Sequence, residues 1–111
     1  MKNSQLYKGS LNTIIMKLLE EQGRMYGYEI TQKVKDITKG ELNITEGALY
    51  PALHKLEAEG LLDVEVEKVD NRLRKYYKLT EKGTKETVNR LAELEEFIKN
   101  MQTIVNPKLS Y

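Results

Sequence analysis

The apolar residues of this chain change their spacing at residue 62, from a helical to a strand period, and that change limits the possible folds more than any other feature. Before residue 62, apolar side chains recur every three or four positions, which is typical of amphipathic helices. From Leu62 to Glu67, apolar and acidic residues alternate without exception, as in a strand with one buried face. The sequence therefore predicts a mainly α-helical fold that carries a small β-hairpin.

Two helices are predicted in the first forty residues. The first covers residues 10–22, with Ser10 as a suitable N-cap and Gly23 as its stop. The second covers residues 26–37 and is expected to bury one face, including Tyr28, in a common core. The apolar positions of that face are Ile30, Val34 and Ile37.

A third predicted helix presents a polar face suited to contact with a partner. It begins near Thr45, a good N-cap, and Gly60 lies where a C-cap is expected. Pro51 removes one internal hydrogen bond, so the helix is expected to tolerate it or bend there. The buried side is predicted to hold Leu49, Ala52, Leu53 and Leu56. The outward side is predicted to hold Gly47, Pro51, His54 and Lys55, with Tyr50 on its flank.

The predicted hairpin carries the one strongly basic short segment of the chain. Asp70 and Asn71 supply turn residues, and residues 75–79 are predicted to form the returning strand, with one of Tyr76 and Tyr77 in the core. The whole chain has a net charge of only +1, with 18 basic and 17 acidic residues. Within residues 68–78, however, five basic residues face a single Asp, which gives a local charge of +4. The five are Lys68, Arg72, Arg74, Lys75 and Lys78.

The last predicted helix runs from Thr80 to about Val105 and has apolar residues spaced 3, 4, 3 and 4 apart. This spacing is typical of a short coiled-coil seam, and it predicts dimerisation through this helix. The alternative is that the helix folds back on the first helix of its own protomer. The seam consists of Leu91, Leu94, Ile98, Met101 and Val105, and Phe97 and Ile104 widen it.

Composition argues against several classes of function. The chain has no Cys and one His, so thiol chemistry and paired metal ligands are not expected, and neither a metal nor a cofactor is predicted. Its seven glycines form no phosphate-binding loop pattern, and we expect no enzymatic activity. No apolar run approaches the roughly 18–20 residues of a membrane span, and the N-terminus has no apolar signal segment. A cytoplasmic protein without membrane contact is expected.

Three helices followed by a hairpin is the order of elements in a winged helix-turn-helix domain. In that fold the third helix enters the major groove of DNA and the wing contacts the neighbouring backbone. Small residues on the outward face, Gly47 and Pro51 among them, would allow close approach to the groove. The candidate base or phosphate contacts are Tyr50, His54 and Lys55 on the helix and Arg72, Arg74 and Lys75 on the wing.

Three sequence blocks resemble the PadR-type transcriptional regulators. They are YGYEI at residues 26–30, ITEGALYPALHKLEAEGLL at residues 44–62 and RKYYKLTEKG at residues 74–83. The resemblance implies a homodimeric, cytoplasmic repressor with a DNA-binding domain over residues 1–80 and a C-terminal dimerisation helix and tail over residues 81–111. Its DNA target would be an inverted-repeat (palindromic) operator. It further implies that the recognition helix carries Thr45, Gly47, Tyr50, Pro51, His54 and Lys55, and the wing Arg74 and Lys75.

The resemblance also implies a small aromatic or apolar effector between the two protomers, although this chain has no Trp to stack on such a ligand. Several alternatives remain open at this level. The basic wing is also compatible with a solvated hairpin, Tyr50 with a residue at the rim of its own helix, and His54 with a plain polar surface residue. A winged-helix module that binds protein and not specific DNA is the alternative function.

Overall fold

The computed structural model describes residues 4–110, and residues 6–108 with their side chains. Five α-helices and three strands occur in this range, and residues 107–110 form a single 3₁₀ turn. They follow the order α1 (Ser4–Lys8), α2 (Leu11–Gln22), β1 (Arg24–Met25), α3 (Gly27–Ile37), α4 (Glu46–Ala58), β2 (Leu62–Val69), β3 (Arg72–Leu79) and α5 (Glu81–Val105). The prediction of a mainly α-helical winged helix-turn-helix fold with a C-terminal helix is confirmed.

The helix α4, predicted to be the recognition helix, begins and ends as its sequence predicts. The Ala48 backbone N–H donates to Thr45 Oγ1 at 3.2 Å, which satisfies one free donor of the first turn. Gly60, just after the helix, has a φ of +78°, a left-handed conformation that favours glycine. Pro51 lies inside the helix, which continues through it without a break.

The hairpin of β2 and β3 forms the wing, and its strands are longer than predicted. Asp70 and Asn71 have φ values of +50° and +63°, as in the two-residue type I′ turn whose twist matches that of the strands. Because of that match, pairing continues up to the turn, where Val69 lies opposite Arg72. The prediction had ended the first strand at Glu67 and begun the second at residue 75, which was too short on both sides.

A third strand, β1, was not predicted. Arg24 pairs with Lys78 and Met25 with Tyr77, so β3 is the central strand of the order β1-β3-β2. A strand of two residues has no periodicity of its own. It is a strand only because it pairs with β3, which lies much later in the sequence.

One apolar core joins α2, α3, α4 and the sheet. Tyr77 is its β3 member and is 1% exposed, which confirms that one of the two neighbouring tyrosines is buried. Tyr28, expected in the core, is instead 63% exposed because it lies on the side of α3 opposite Ile30 and Val34. Ile37 is also exposed, since it ends α3 beyond the core. The central buried side chains include Ile15, Met16, Leu19, Ile30, Val34, Leu49, Leu53, Leu56 and Tyr77.

The first half of α5 is part of this domain, whereas every described side chain from residue 95 to the end of the helix is exposed. Gly83 passes so close to the Leu61 carbonyl that a Cβ there would overlap it. Thr80 Oγ1 donates to the Gly60 carbonyl at 2.7 Å, and α5 then packs along α2. No helix within residues 4–110 combines the length and the apolar character needed to cross a bilayer.

Candidate nucleic-acid interface

The outward face of α4 is open to solvent. Gly47, Pro51, His54 and Lys55 are all exposed, as the helical spacing predicts. The centre of the face therefore consists of a glycine, a proline ring and an imidazole, with little bulk above the helix backbone. Such a surface permits close approach of a second molecule. Thr45 is also exposed, and its hydroxyl is engaged in capping the helix.

Tyr50 connects α4 to the start of α3. Its side chain is 37% exposed, and its ring centroid lies 6.3 Å from that of His54. Its hydroxyl lies against the backbone of Gly27, where an added Cβ would be 2.5 Å from Tyr50 Oη. Tyr50 is thus a half-exposed residue between two helices.

A groove of about 690 Å³ separates the start of α3 and Tyr50 from the wing. Tyr50 from the predicted recognition helix and Arg72, Arg74 and Lys75 from the wing line this groove, so the fold brings these four predicted site residues together. Gly47, Pro51, His54 and Lys55 do not line the groove and occupy the exposed face of α4 instead. The remaining lining residues are Tyr26, Gly27, Val69, Asp70, Leu73 and Tyr77.

The basic residues of the wing divide into paired and unpaired cations. Lys78 Nζ lies 2.8 Å from Glu65 Oε2, so its charge is neutralised. Counting charges along the chain missed this pair, because Glu65 comes from the facing strand. Among the residues with described side chains, no ion pair involves Arg72, Arg74 or Lys75. The three predicted wing cations are therefore available for phosphate.

The available cations lie on both faces of the wing. The register places Glu67 opposite Arg74 and Val66 opposite Lys75, and side chains alternate along each strand. Arg72 and Arg74 consequently share the outer face of the sheet with Tyr76. Lys75 shares the other face with the buried Tyr77. Although their backbone positions lie on two faces of the same narrow hairpin, all three line the groove beside Tyr50.

The outer face of the sheet carries a stack of cations and aromatic rings that the sequence analysis missed. The Arg74 guanidinium lies 4.1 Å from the centroid of the Tyr26 ring. Tyr26 meets Tyr76 edge to face at 5.5 Å, and Arg24 lies 4.2 Å from the Tyr76 centroid on the far side. In the sequence, the only indication of this stack is that Arg24 and Tyr26 are two positions apart, as residues on one face of a strand are. That spacing is informative only once β1 is known to be a strand.

Ion pairs anchor one end of this stack. Arg24 donates to Glu65 Oε1 at 3.0 Å and to Glu67 Oε1 at 2.7 Å. Hydrogen bonds first from Lys78 and then from Arg24 hold the pKa of the Glu65 carboxyl below its usual value. Glu65 therefore stays ionised, and Arg24 stays in place, throughout the neutral pH range.

The titratable side chains of the interface include one histidine and one buried tyrosine. His54, the one histidine, is exposed on α4. Burial raises the pKa of the Tyr77 phenol, with smaller effects of Glu57 and Tyr50, so this hydroxyl remains protonated at neutral pH. Within the described part of the chain, no three His, Asp or Glu side chains are grouped as metal ligands would be.

Comparison with known proteins agrees with this geometry. The PadR-like family of transcriptional regulators matches residues 15–89, which include α3, α4, the wing and the start of α5. A transcriptional regulator of Mycobacterium tuberculosis is 34% identical over 77 residues, or 69% of this chain and 69% of that protein.

Solved structures give the same result. A PadR-like transcription factor from Bacteroides fragilis is 36% identical, with a TM-score of 0.74 over 91% of this chain and 95% of the other. A transcriptional regulator from Clostridium thermocellum is 30% identical, with a TM-score of 0.79 over 93% of this chain and 96% of the other. The resemblance noted in the sequence is thereby confirmed, and the chain belongs to the PadR-like family of transcriptional regulators.

Proposed function

We propose that this chain is a repressor that binds an inverted-repeat operator as a homodimer. The observation that carries the proposal is the position of Arg72, Arg74 and Lys75, which line one groove with Tyr50 and have no ion pair among the residues with described side chains. A polyanion bound along the outward face of α4 would have these cations beside it. Occupancy of an operator within a promoter is by itself sufficient to repress transcription.

Each element has a distinct role in this proposal. The helix α4 enters the major groove, where Gly47 and Pro51 allow close approach of its backbone. Tyr50, His54 and Lys55 supply a phenol, an imidazole and an ammonium to base edges or phosphates, and Thr45 adds a contact at the helix start. The wing neutralises phosphates beside the groove.

Dimerisation is supported by the exposed apolar residues of α5. Leu91 and Leu94 are partly covered within the protomer, whereas the described apolar residues of α5 that follow Leu94 are exposed. A single winged helix reads only a few base pairs, so a two-fold axis is needed to combine two half-sites about one turn apart. In this division, residues 1–80 bind DNA and residues 81–111 form the dimer. The exposed residues are Phe97 (57%), Ile98 (47%), Met101 (40%), Ile104 (73%) and Val105 (75%).

The same apolar residues support a site for a small aromatic or apolar effector between the protomers. Phe97 and Met101 would supply the contact area, since no Trp is present. Titration of aromatic acids and cationic dyes against the protein–operator complex tests this point. Retention of the DNA at the solubility limit of every compound would argue for a regulator without such a ligand.

Footprinting on the DNA upstream of its own gene tests the function, and protection of an inverted repeat is the expected result. The logarithm of the association constant should then fall with the logarithm of salt concentration by about 0.9 per phosphate neutralised. Arg74→Ala with Lys75→Ala should weaken specific and non-specific binding alike and flatten that slope. Lys99→Ala with Lys108→Ala removes the same charge from exposed sites outside the groove and serves as the matched control.

The second candidate function, a module that binds protein, is favoured by two exposed apolar residues of the wing. Leu73 is 78% exposed and Val66 is 54% exposed. Binding of DNA without any dependence on salt, or no binding at all, would support this candidate over the first.

A further inference from the structure

We propose that Tyr26 is a positioning residue for DNA recognition, because its ring holds the wing residue Arg74 in the orientation that meets a phosphate. The inference rests on the proposed function, in which Arg74 contacts the DNA backbone. It adds a residue that lies outside both the recognition helix and the wing. Tyr26 is the residue between β1 and α3.

The contact between the two side chains does not use the N–H donors of Arg74. The guanidinium lies over the face of the Tyr26 ring at 4.1 Å from its centroid. Such a contact uses the flat face of the cation, whereas its N–H groups point outward in the plane of the guanidinium. Arg74 also has no ion pair among the residues with described side chains. Hydrogen bonding to the Tyr76 hydroxyl occupies part of the guanidinium. A guanidinium has five N–H groups, so the others are available to a phosphate oxygen.

Tyr26 is itself fixed on several sides. Its backbone N–H donates to Glu29 Oε1 at 3.1 Å, and the preceding strand β1 is paired with β3. Its ring meets Tyr76 edge to face, with the ring planes at 79°. On the far side of Tyr76 lies Arg24, which two carboxylates hold in place. The Tyr26 ring is thus a fixed surface against which the long, flexible Arg74 side chain of the wing packs.

This arrangement links the wing to the recognition helix. Arg74 lies two residues after the start of β3, near the wing turn, where a hairpin has the most freedom to bend. Tyr26 connects that end of the wing to the first turn of α3, and the next residue, Gly27, is in contact with Tyr50 of α4. The same short segment therefore fixes both sides of the groove. Ordering Arg74 before DNA arrives reduces the rotamer freedom lost on binding.

A double-mutant cycle with Arg74→Ala tests the inference. Tyr26→Leu should weaken operator binding about three- to tenfold, in line with the strength of a cation–π contact, and Tyr26→Phe should bind as the unaltered protein. In the Arg74→Ala background, Tyr26→Leu should change the affinity less than about twofold. Tyr28→Leu is the matched control, since that neighbouring tyrosine is 63% exposed and makes no ring contact with any residue whose side chain the structure describes.

A second measurement needs no DNA and is made by NMR. The Nε–Hε resonance of Arg74 should show the ring-current shift of a proton near an aromatic face, retained in Tyr26→Phe and lost in Tyr26→Leu. Equal loss of affinity on Tyr26→Leu in both backgrounds would indicate a merely structural role and would overturn the inference alone. Failure of the unaltered protein to bind any DNA would overturn both this inference and the proposed function.

Discussion

The Tyr50 hydroxyl lies beside Gly27 in a space that admits no further atom. Gly27 has an ordinary helical conformation, so its lack of a side chain is required by this close approach and not by its backbone angles. The contact determines how closely the Tyr50 side chain approaches α3 and how much of its ring is exposed on the face of α4. At the scale of single residues, the interface thus depends on a position that carries no side chain.

Gly27→Ala should weaken operator binding while the fold persists. The new methyl group displaces the end of a flexible side chain, which is a small perturbation, and alanine is a better helix former than glycine. The loss should approach that of Tyr50→Ala, for which a base contact gives about 1–3 kcal/mol. Mobility-shift titration and thermal unfolding measure the two effects.

Gly9→Ala is the control for Gly27→Ala, because a Cβ there meets nothing within 4 Å. Unchanged operator binding by Gly27→Ala would show that the position of Tyr50 is not needed for DNA recognition. A collapse of the melting temperature in Tyr50→Ala, with normal binding by the folded fraction, would instead assign Tyr50 to the core.

At the scale of elements, the start of α5 is fixed to the junction of α4 and β2 by backbone contacts. The Thr80 N–H donates to the Leu61 carbonyl at 3.0 Å, and the Thr80 hydroxyl accepts from the Gly83 N–H at 2.9 Å. Thr87, which is fully buried, donates its hydroxyl to the Gly83 carbonyl at 2.7 Å. The first turns of α5 are consequently part of the winged-helix core.

Gly83→Ala should lower the free energy of unfolding by more than its helix propensity would suggest. The methyl group would overlap the backbone of Leu61, which cannot rotate away as a side chain can. Overpacking of this kind typically costs about 1–3 kcal/mol, and it outweighs the gain of about 1 kcal/mol from replacing a helical glycine. Urea unfolding measures the difference, with Thr84→Ala, an exposed neighbour, as the control. A stabilised Gly83→Ala protein would mean that α5 is free to move away from Leu61.

The elements that could be predicted from the sequence are those that carry their own signal. The helix α4 has a capping Thr45, a buried stripe and Gly60, and each of these acts within a few residues. By contrast, β1 and the pairing of Lys78 with Glu65 depend on which strands become neighbours. Tyr26 belongs to this second group, since its contacts with Arg74 and Tyr76 join segments about fifty residues apart. Local patterns could not reveal it.

At the scale of the whole molecule, α5 extends well beyond the domain that its first half supports. A helix of 25 residues is about 37 Å long, and the described chain measures 56 Å in its longest dimension. Leu94 and Phe97 line a shallow groove with Leu6 and Ser10 of the same protomer, whereas Ile98 lies beyond that groove. An apolar stripe of this kind, without cover, is typical of a surface that associates with another molecule.

Ile98→Glu should convert the proposed dimer into a folded monomer with little specific affinity for the operator. Burial of two symmetry-related carboxylates in the seam would cost several kcal/mol through desolvation and repulsion. Ile98→Glu tests the seam more specifically than Leu94→Glu does, because Leu94→Glu would also disturb packing within the protomer. Thr103→Glu introduces the same charge on the face of α5 opposite the seam and should remain dimeric. Sedimentation gives the mass of each variant, circular dichroism its helix content, and mobility shift its affinity.

Since each half-site contributes separately to binding, the monomer should bind near the non-specific level. An Ile98→Glu monomer that still binds the full operator tightly would show that recognition does not need the two-fold axis, and an Ile98→Glu dimer would place the seam elsewhere.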